Sequence, residues 1–295
     1  MSTSNIALET IRNIDIKTLI YSPSEGFENY RKKLVEYYIR QNLSFSKYEL
    51  IITTGGSEAI SFILGSITEL GDEIISPEPF YANYNGIAAM HRVKIVPVTL
   101  TIEENFTPPS IDTFKKKITP RTKAILICNP NNPTGYLYTE KELRQIKELI
   151  IQYELFLLSD EVYREFVYED AKHCSVLQIE DLEKHAVIID SISKRYNMCD
   201  DRIGCITSKN QELISCILKF AQVHLSPPSL EQIAAEAAVD TPNACFEEIT
   251  SREYTSQRNT LLECLNQING VQYNRPQEAF YCMVELQVDD VDLFD

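Results

Sequence analysis

The sequence predicts an α/β fold in which helices sandwich a mostly parallel seven-stranded sheet, followed by a second, smaller α+β domain. Short apolar runs alternate with amphipathic stretches up to about Gln211, which is typical of parallel α/β sheets. Long helical patterns replace the strands after that point. The chain has 295 residues and 44% hydrophobic content, which is enough to bury a large core.

Seven runs have the length and composition of buried strands. In chain order they are LIITT (50–54), DEIIS (72–76), VKIVPV (93–98), KAILIC (123–128), ELFLLS (154–159), HAVIID (185–190) and IGCITS (203–208). Helical patterns lie between them, including 57–70 and 139–153. In the second of these, Glu142 follows Thr139 by three residues, a capping box that marks a helix start.

The change from strand to helix patterns suggests the domain organisation. We divide the chain into an N-terminal segment (1–25), a large α/β domain (26–235) and the start of a small domain (236–295). The small domain contains a helical pattern and then a hairpin-like run, AFYCMVELQV at 279–288.

Charge and cysteine content narrow the class of protein. The formal net charge is −15 and the pI is about 4.8, so the chain as a whole would repel nucleic acid and anionic membranes. The eight cysteines include no CxxC pair and no His/Cys cluster, which argues against a metal site and a disulfide scaffold. The chain shows neither the pattern of a signal peptide nor an apolar run long enough for a membrane span. We expect a cytoplasmic protein.

Loops that follow the strands should carry the chemistry, because ligands of open α/β sheets bind beyond the carboxyl ends of the strands. After the first strand come Gly55, Gly56, Ser57 and Glu58 at a helix start, where backbone N–H groups suit a phosphate. No Gly-Lys-Ser/Thr follows, so this is not a Walker loop. A plain turn is the alternative.

Two further strand-end loops carry polar groups. The loop NPNNPTG (129–135) is either a rigid surface loop or a holder that keeps the Asn132 amide ready for a ligand oxygen. The loop DEVY places Asp160 at the end of a central strand, where a carboxylate is costly without a positive partner. Asp160 is either a helix cap or the partner of a cation, and the Tyr163 phenol could face the same pocket.

The segment DSISKRYNMCDDRIG (190–204) supplies a hydroxyl at Ser191, an amine at Lys194 and a guanidinium at Arg202. One small molecule would use all these groups, because it combines an aldehyde for Lys194, a pyridine nitrogen for Asp160 and a phosphate for Arg202. That molecule is pyridoxal phosphate.

These motifs together resemble the class I/II aminotransferases of fold type I, the aspartate aminotransferase superfamily, and the resemblance covers nearly the whole chain. The motifs are NPNNPTG, SDEVY, and SxSK followed by RIG. The resemblance implies catalytic roles for Lys194 as the Schiff-base lysine and proton shuttle, for Asp160 as the partner of the pyridinium, and for Tyr163. Cofactor-binding roles are implied for these three and for Gly56, Ser57, Glu58, Tyr81, Asn132, Ser191, Arg202 and Tyr21.

Within this resemblance, Tyr81 in EPFYANY matches an aromatic ring stacked on the pyridine, and Tyr21 matches a tyrosine that reaches the phosphate of a neighbouring subunit. A homodimer with shared active sites follows. The implied activity is transfer of an amino group from an amino acid to a 2-oxo acid, in amino acid metabolism or biosynthesis. The alternatives are a carbon–sulfur lyase, an enzyme like aminocyclopropane-carboxylate synthase, and a non-catalytic protein of the same fold.

The sequence also departs from the family pattern. Family members usually extend further at both ends, where they carry a substrate loop and a substrate-carboxylate arginine, so the resemblance implies that this chain is a fragment with an incomplete small domain. Asp200 stands where many relatives have glycine, which adds negative charge beside the phosphate site.

Overall fold

The structure is a computed structural model that describes residues 3–18, 20–169, 171–242 and 249–286. Its strands are β1 (Leu50–Thr53), β2 (Glu73–Glu78), β3 (Lys94–Thr99), β4 (Thr122–Cys128), β5 (Phe156–Asp160), β6 (Ala186–Ser191), β7 (Gly204–Thr207), β8 (Val271–Tyr273) and β9 (Val284–Leu286). Its α-helices are α1 (Thr3–Arg12), α2 (Glu28–Arg40), α3 (Gly55–Ile67), α4 (Asn83–Met90), α5 (Ile111–Lys115), α6 (Glu140–Gln152), α7 (Ile192–Arg195), α8 (Gln211–Val223), α9 (Ser229–Ala238) and α10 (Thr255–Leu265). Single helical turns of other types lie at Lys47–Glu49, Val176–Gln178 and Ile249–Tyr254.

The predicted sheet of seven strands is confirmed. The strand order is β1-β7-β6-β5-β4-β2-β3, and neighbouring strands are parallel except that β7 runs antiparallel to both β1 and β6. The predicted capping box is also present, because Thr139 and Glu142 bond reciprocally at the start of α6. In the part of the chain that the structure describes, no helix is both long enough and apolar enough to cross a membrane.

Helices cover both faces of the sheet, so its central strands β4, β5 and β6 are buried on both sides. Alternate strand residues enter two separate core clusters. Ile125 and Ile127 of β4 belong to the cluster that contains residues of α2, α6 and α9, whereas Ala124 and Leu126 belong to the cluster that contains residues of α3, α4 and α8. This layering explains why the strands are nearly continuous apolar runs in the sequence.

The orientation of β7 brings distant chain segments to one edge of the sheet. Its first residue, Gly204, pairs with Thr53 at the end of β1 and with Ser191 at the end of β6. Arg202, two residues before β7, therefore lies beside the start of α3 and the end of β6. A Cβ on Gly204 would lie 2.6 Å from the Gly55 carbonyl carbon, so glycine is required there.

The run predicted to be hairpin-like forms only one strand within the described residues. Strand β9 pairs with the earlier strand β8, and positions 287 and 288 of the run lie outside the described residues. The segment between β8 and β9 packs on the loop 129–135, where a Cβ on Gly135 would lie 2.5 Å from Pro276 Cβ. The proposed domain boundary at residue 235 falls within α9, and the division into domains stays a prediction.

Candidate active site

A cleft of about 170 Å³ opens at the carboxyl edge of β4, β5 and β6. It brings together nine of the residues predicted from the sequence: Gly56, Ser57, Tyr81, Asn132, Asp160, Tyr163, Ser191, Lys194 and Arg202. It is also lined by residues that the sequence analysis did not select: Ile60, Cys128, Val162, Asp190, Ser193, Cys199 and Tyr281.

Asp160, the last residue of β5, is a buried carboxylate that lines this cleft. Burial raises the pKa of Asp160 to about 6, and the hydrogen bond that Tyr84 Oη donates to Oδ2 at 2.8 Å opposes that rise. The described residues place no basic side chain within 4.0 Å of the carboxylate. Burial therefore destabilises the ionised form of Asp160, and a positively charged ligand beside the carboxylate would offset that cost.

A row of hydroxyl and amide groups lines the neighbouring wall. Asn132 Nδ2 donates to Tyr163 Oη at 3.2 Å, and Tyr163 Oη lies 2.7 Å from Tyr281 Oη. Burial raises the pKa of both tyrosines, so both phenols stay protonated near neutral pH. Because one of the two phenols donates its single O–H to the other, the remaining O–H is available as a donor to an oxygen in the cleft.

Lys194 lies on α7, a single turn that follows β6 directly. The Ser191 hydroxyl caps this turn by accepting from Ser193 N at 3.1 Å, and it donates to Ser193 Oγ at 2.7 Å. Lys194 is half-buried, and its Nζ lies 5.9 Å from the ring centroid of Phe280. This turn needs support from outside itself, because so short a helix is unstable alone.

Buried ion pairs behind the cleft provide that support. Arg195 Nη2 lies 2.6 Å from Asp190 Oδ2, and Arg195 Nε lies 2.6 Å from Glu165 Oε1. Tyr38 Oη donates to Asp190 at 2.8 Å, and Arg164 Nη2 lies 3.6 Å away from it. Burial alone would raise the pKa of Asp190, but the two guanidinium groups lower it below the usual range. These contacts fix α7 from behind, and Lys194 faces the cleft.

The start of α3 and Arg202 form the opposite end of the cleft. Gly55 has a φ of +77°, and a Cβ added to it would lie 2.4 Å from Arg202 Nη2, so the close approach of the guanidinium requires glycine. Arg202 Nη1 donates to Cys199 O at 3.0 Å. Gly56 and Ser57 line the cleft in the first turn of this 13-residue helix, where backbone N–H groups attract an anion.

Two of the predicted residues lie elsewhere. Glu58 is not on the cleft wall, because its carboxylate accepts from Thr54 N at 2.6 Å and lies 3.0 Å from His224 Nδ1. Tyr21 is 76% exposed and lines a separate groove with Ser226–Glu231. Asp200 is exposed and does not line the cleft, so its charge is largely solvated.

Sequence reasoning missed two tyrosines that contact predicted site residues. Tyr84 lies on α4 and contacts Asp160. The sequence indication for it was the local pattern EPFYANY, in which Tyr84 is the next aromatic residue after Tyr81. Tyr281 is 118 residues from its partner Tyr163, and nothing local in the sequence connects the two.

Burying the ionised Asp160 carboxylate should lower the stability of the cofactor-free protein in a pH-dependent way. The folded-state pKa is above that of an unfolded aspartate, so this group lowers the free energy of unfolding as the pH rises from about 4 through about 6. At pH 8 the ionised Asp160 lowers the free energy of unfolding by roughly 3 kcal/mol, because its pKa rises from the usual 3.8 to about 6 on folding. We expect Asp160→Asn to raise the free energy of unfolding at pH 8 by up to that amount, as measured by urea denaturation.

The same measurement at pH 4 is the internal control, because the folded wild-type carboxyl is then protonated and the gain should largely disappear. Asp112→Asn, at an exposed position on α5, is the matched substitution and should change little. An Asp160→Asn variant no more stable than the wild type at pH 8 would show that the cleft does not destabilise the ionised carboxylate.

Comparison with known proteins places this architecture in a family. The family model described as aminotransferase class I and II matches residues 3–295. The chain is 34% identical over 265 residues to an aspartate aminotransferase of Bacillus subtilis, which covers 88% of this chain and 66% of the relative. The chain thus spans about two thirds of the length of that relative.

Solved structures agree with the sequence comparison. An alanine aminotransferase from Pyrococcus furiosus superposes with a TM-score of 0.89 at 31% identity, covering 97% of this chain and 73% of that one. A single mutant of Thermus thermophilus aspartate aminotransferase gives a TM-score of 0.89 at 29% identity, covering 96% and 74%. Because the family model matches nearly the whole length of this chain, the chain belongs to the class I and II aminotransferases.

Proposed function

We propose that this protein is a pyridoxal-phosphate-dependent aminotransferase that moves an amino group from an amino acid to a 2-oxo acid. The observation that carries the proposal is the meeting of Lys194, Asp160 and Arg202 with the start of α3 in one cleft. Family membership supports it, because the class I and II aminotransferases depend on this cofactor. The names of the relatives favour amino transfer over a lyase or a non-catalytic role.

The end of the cleft at α3 fits the phosphate group of this cofactor. Gly55 leaves room for the Arg202 guanidinium over the first turn of the helix, and Ser57 and Ser191 place hydroxyl groups on the same cleft. A guanidinium, hydroxyls and free backbone N–H groups are the donors that a phosphate requires. These residues would therefore hold the phosphate of the cofactor.

The side walls fit the pyridine ring. Asp160 is a buried carboxylate suited to a cation, and it would keep a proton on the ring nitrogen. Asn132 and Tyr163 would donate hydrogen bonds to the ring oxygen, and Tyr281 holds the Tyr163 hydroxyl in place. Tyr81 is 36% exposed on the cleft wall, where its ring would cover one face of the pyridine.

Bound pyridoxal phosphate supplies an aldehyde for amino exchange and a ring that accepts the electron pair left when a proton leaves Cα. Lys194 Nζ would carry the cofactor and, after release, would act as the base that moves the Cα proton. The ion pairs of Arg195 fix α7 and hold this amine over the cleft. Asp160, Lys194 and Tyr163 are the catalytic residues of the proposal.

We further propose that the enzyme is a homodimer whose subunits share their active sites. Tyr21 supports this, because it is exposed and lies in a groove apart from the cleft of its own chain, together with Ile20, which is also exposed. Such exposed apolar groups favour contact with a second copy. Sedimentation equilibrium tests the assembly, and a monomer at micromolar concentration would contradict it.

A cytoplasmic location is the remaining part of the proposal. Seven cysteines lie within the described residues, and each is a free thiol. Free thiols in such number are typical of reducing compartments. Fractionation of cells that express the protein would test the location, and recovery outside the cytoplasm would contradict it.

The proposed activity is tested with amino donors and 2-oxoglutarate as the acceptor. We expect the protein loaded with pyridoxal phosphate to form glutamate and the matching 2-oxo acid from at least one of aspartate, alanine, aromatic and branched-chain donors. The cofactor-free protein is the control. Release of ammonia and a thiol from cystathionine without glutamate formation would support the lyase alternative, and no turnover with any donor would contradict the proposal.

A further inference from the structure

Cys199 is a thiol on the cleft wall that the proposed function does not use. Lys194 Nζ donates to Cys199 Sγ over 4.0 Å, and the thiol donates to Ser193 O at 3.0 Å. Cys199 is exposed, so small solutes can reach it. Among the cysteines in the described ranges only Cys264, on α10, is also exposed, and it does not line the cleft.

The local backbone holds this thiol beside the amine. Arg195 fixes α7 through Asp190 and Glu165, and the chain then reverses at Asn197, whose φ is +54°. The reversal returns Cys199 to the side of the turn that carries Lys194. The lysine stem has four rotatable carbons, so its amine can reach the sulfur by side-chain rotation alone.

We propose that Cys199 and Lys194 form a reversible redox switch, in which a hydroperoxide oxidises the thiol and the oxidised sulfur then bonds to the lysine nitrogen. In the first step the thiol sulfur takes one oxygen from the hydroperoxide, the O–O bond breaks and an alcohol or water leaves, which gives a sulfenic acid. In the second step the Lys194 nitrogen attacks that sulfur, the S–O bond breaks and water leaves.

The net change is the loss of two hydrogen atoms, one from the thiol and one from the amine, with the hydroperoxide reduced. A dithiol reverses the reaction, because its thiolate attacks the sulfur, releases the amine and is itself oxidised to a disulfide. The cross-link occupies the amine that carries the cofactor in the proposed function. The switch itself does not depend on that function and requires only the two side chains.

The experiment uses the full chain freed of cofactor and treated with hydrogen peroxide. We expect an intact mass about 2 Da lower than that of the untreated chain, as the loss of two hydrogens requires. Trypsin should no longer cleave after Lys194, and peptide 185–195 should be found joined to peptide 196–202. Dithiothreitol should restore the original mass and the cleavage.

Two serine variants locate the link. Cys264→Ser removes the other exposed thiol and should still form the link, whereas Cys199→Ser should lose it completely. In Lys194→Met no amine is present to attack the sulfenic acid, so labelling of Cys199 by dimedone should rise at least about tenfold over the wild type. These results together would support the switch.

Three outcomes in the wild type would overturn it: oxygen added to Cys199 without a link, a disulfide from Cys199 to another cysteine, or an unchanged Cys199. A parallel sample saturated with pyridoxal phosphate before oxidation distinguishes this inference from the proposed function. Protection is expected if Lys194 carries the cofactor. A link that forms equally well in both samples would contradict that role of Lys194 and leave the switch supported.

Discussion

Asp160→Ala is expected to lower kcat for amino transfer by roughly 10²–10³-fold, in the range seen when one aligned electrostatic group is removed from an active site. The carboxylate is buried and holds the proton on the ring nitrogen in our proposal. Without it that nitrogen is not kept protonated, and the electron pair left at Cα is stabilised less well. Cofactor binding should change much less, because the phosphate contacts and Lys194 are retained. Steady-state rates and a spectroscopic titration of the cofactor measure the two effects separately.

Asp160→Glu is the matched variant, because it keeps the negative charge and lengthens the side chain by one methylene. We expect it to lose less activity than the alanine variant. Asp160 Oδ1 also accepts from Val162 N at 3.4 Å, which is a weak turn contact. If Asp160→Ala kept turnover near that of the wild type, Asp160 would have only this structural role and no role in catalysis.

Lys194→Ala is expected to have the larger effect, a loss of about 10⁴-fold in kcat, because in our proposal it removes both the amine that carries the cofactor and the base that moves the Cα proton. Lys194→Arg should lose nearly as much, since a guanidinium keeps the charge but does neither task. The Arg195 ion pairs remain in both variants, so the fold around α7 should persist. The free energy of unfolding checks that it does.

The control for this prediction is Lys219→Ala, at an exposed position on α8 that does not line the cleft. It should keep wild-type turnover. If Lys194→Ala kept more than about a tenth of the wild-type rate, Lys194 would not be the proton-transfer base, since such groups contribute about 10²–10⁴-fold.

The fold was largely predictable from the sequence because buried parallel strands are short apolar runs. Each of the seven predicted runs overlaps one strand of the large sheet. The antiparallel direction of β7 was not predicted, because the apolar pattern of a strand is the same in both directions. That direction places Arg202 at the cleft, as the pairing of Gly204 with Ser191 shows.

The candidate site was predictable where its residues follow strands and less so where they come from elsewhere. Lys194 follows β6, and Asp160 is the last residue of β5. Both line the cleft as expected. Tyr281 reaches Tyr163 through the packing of a segment far away in the chain. A sequence pattern contains no information about such a contact, because it depends on how the later segment folds back.

The ion pairs behind the cleft were missed for a different reason. Arg164, Arg195 and Glu165 look like surface charges in the sequence, since most charged residues are exposed. In the structure these three side chains are nearly inaccessible to solvent. Buried charges of this kind are retained only with close partners, and those partners come together only in the folded chain.

Borohydride reduction of the full chain saturated with pyridoxal phosphate, followed by peptide mapping, tests the central claim most directly. Reduction fixes the cofactor to whichever lysine carries it, so the label identifies that residue. We predict the label on Lys194, within peptide 185–195, and its absence from the Lys194→Ala protein under the same conditions. A label on another lysine, or no label on the wild-type protein, would contradict the assignment of this cleft as the cofactor site.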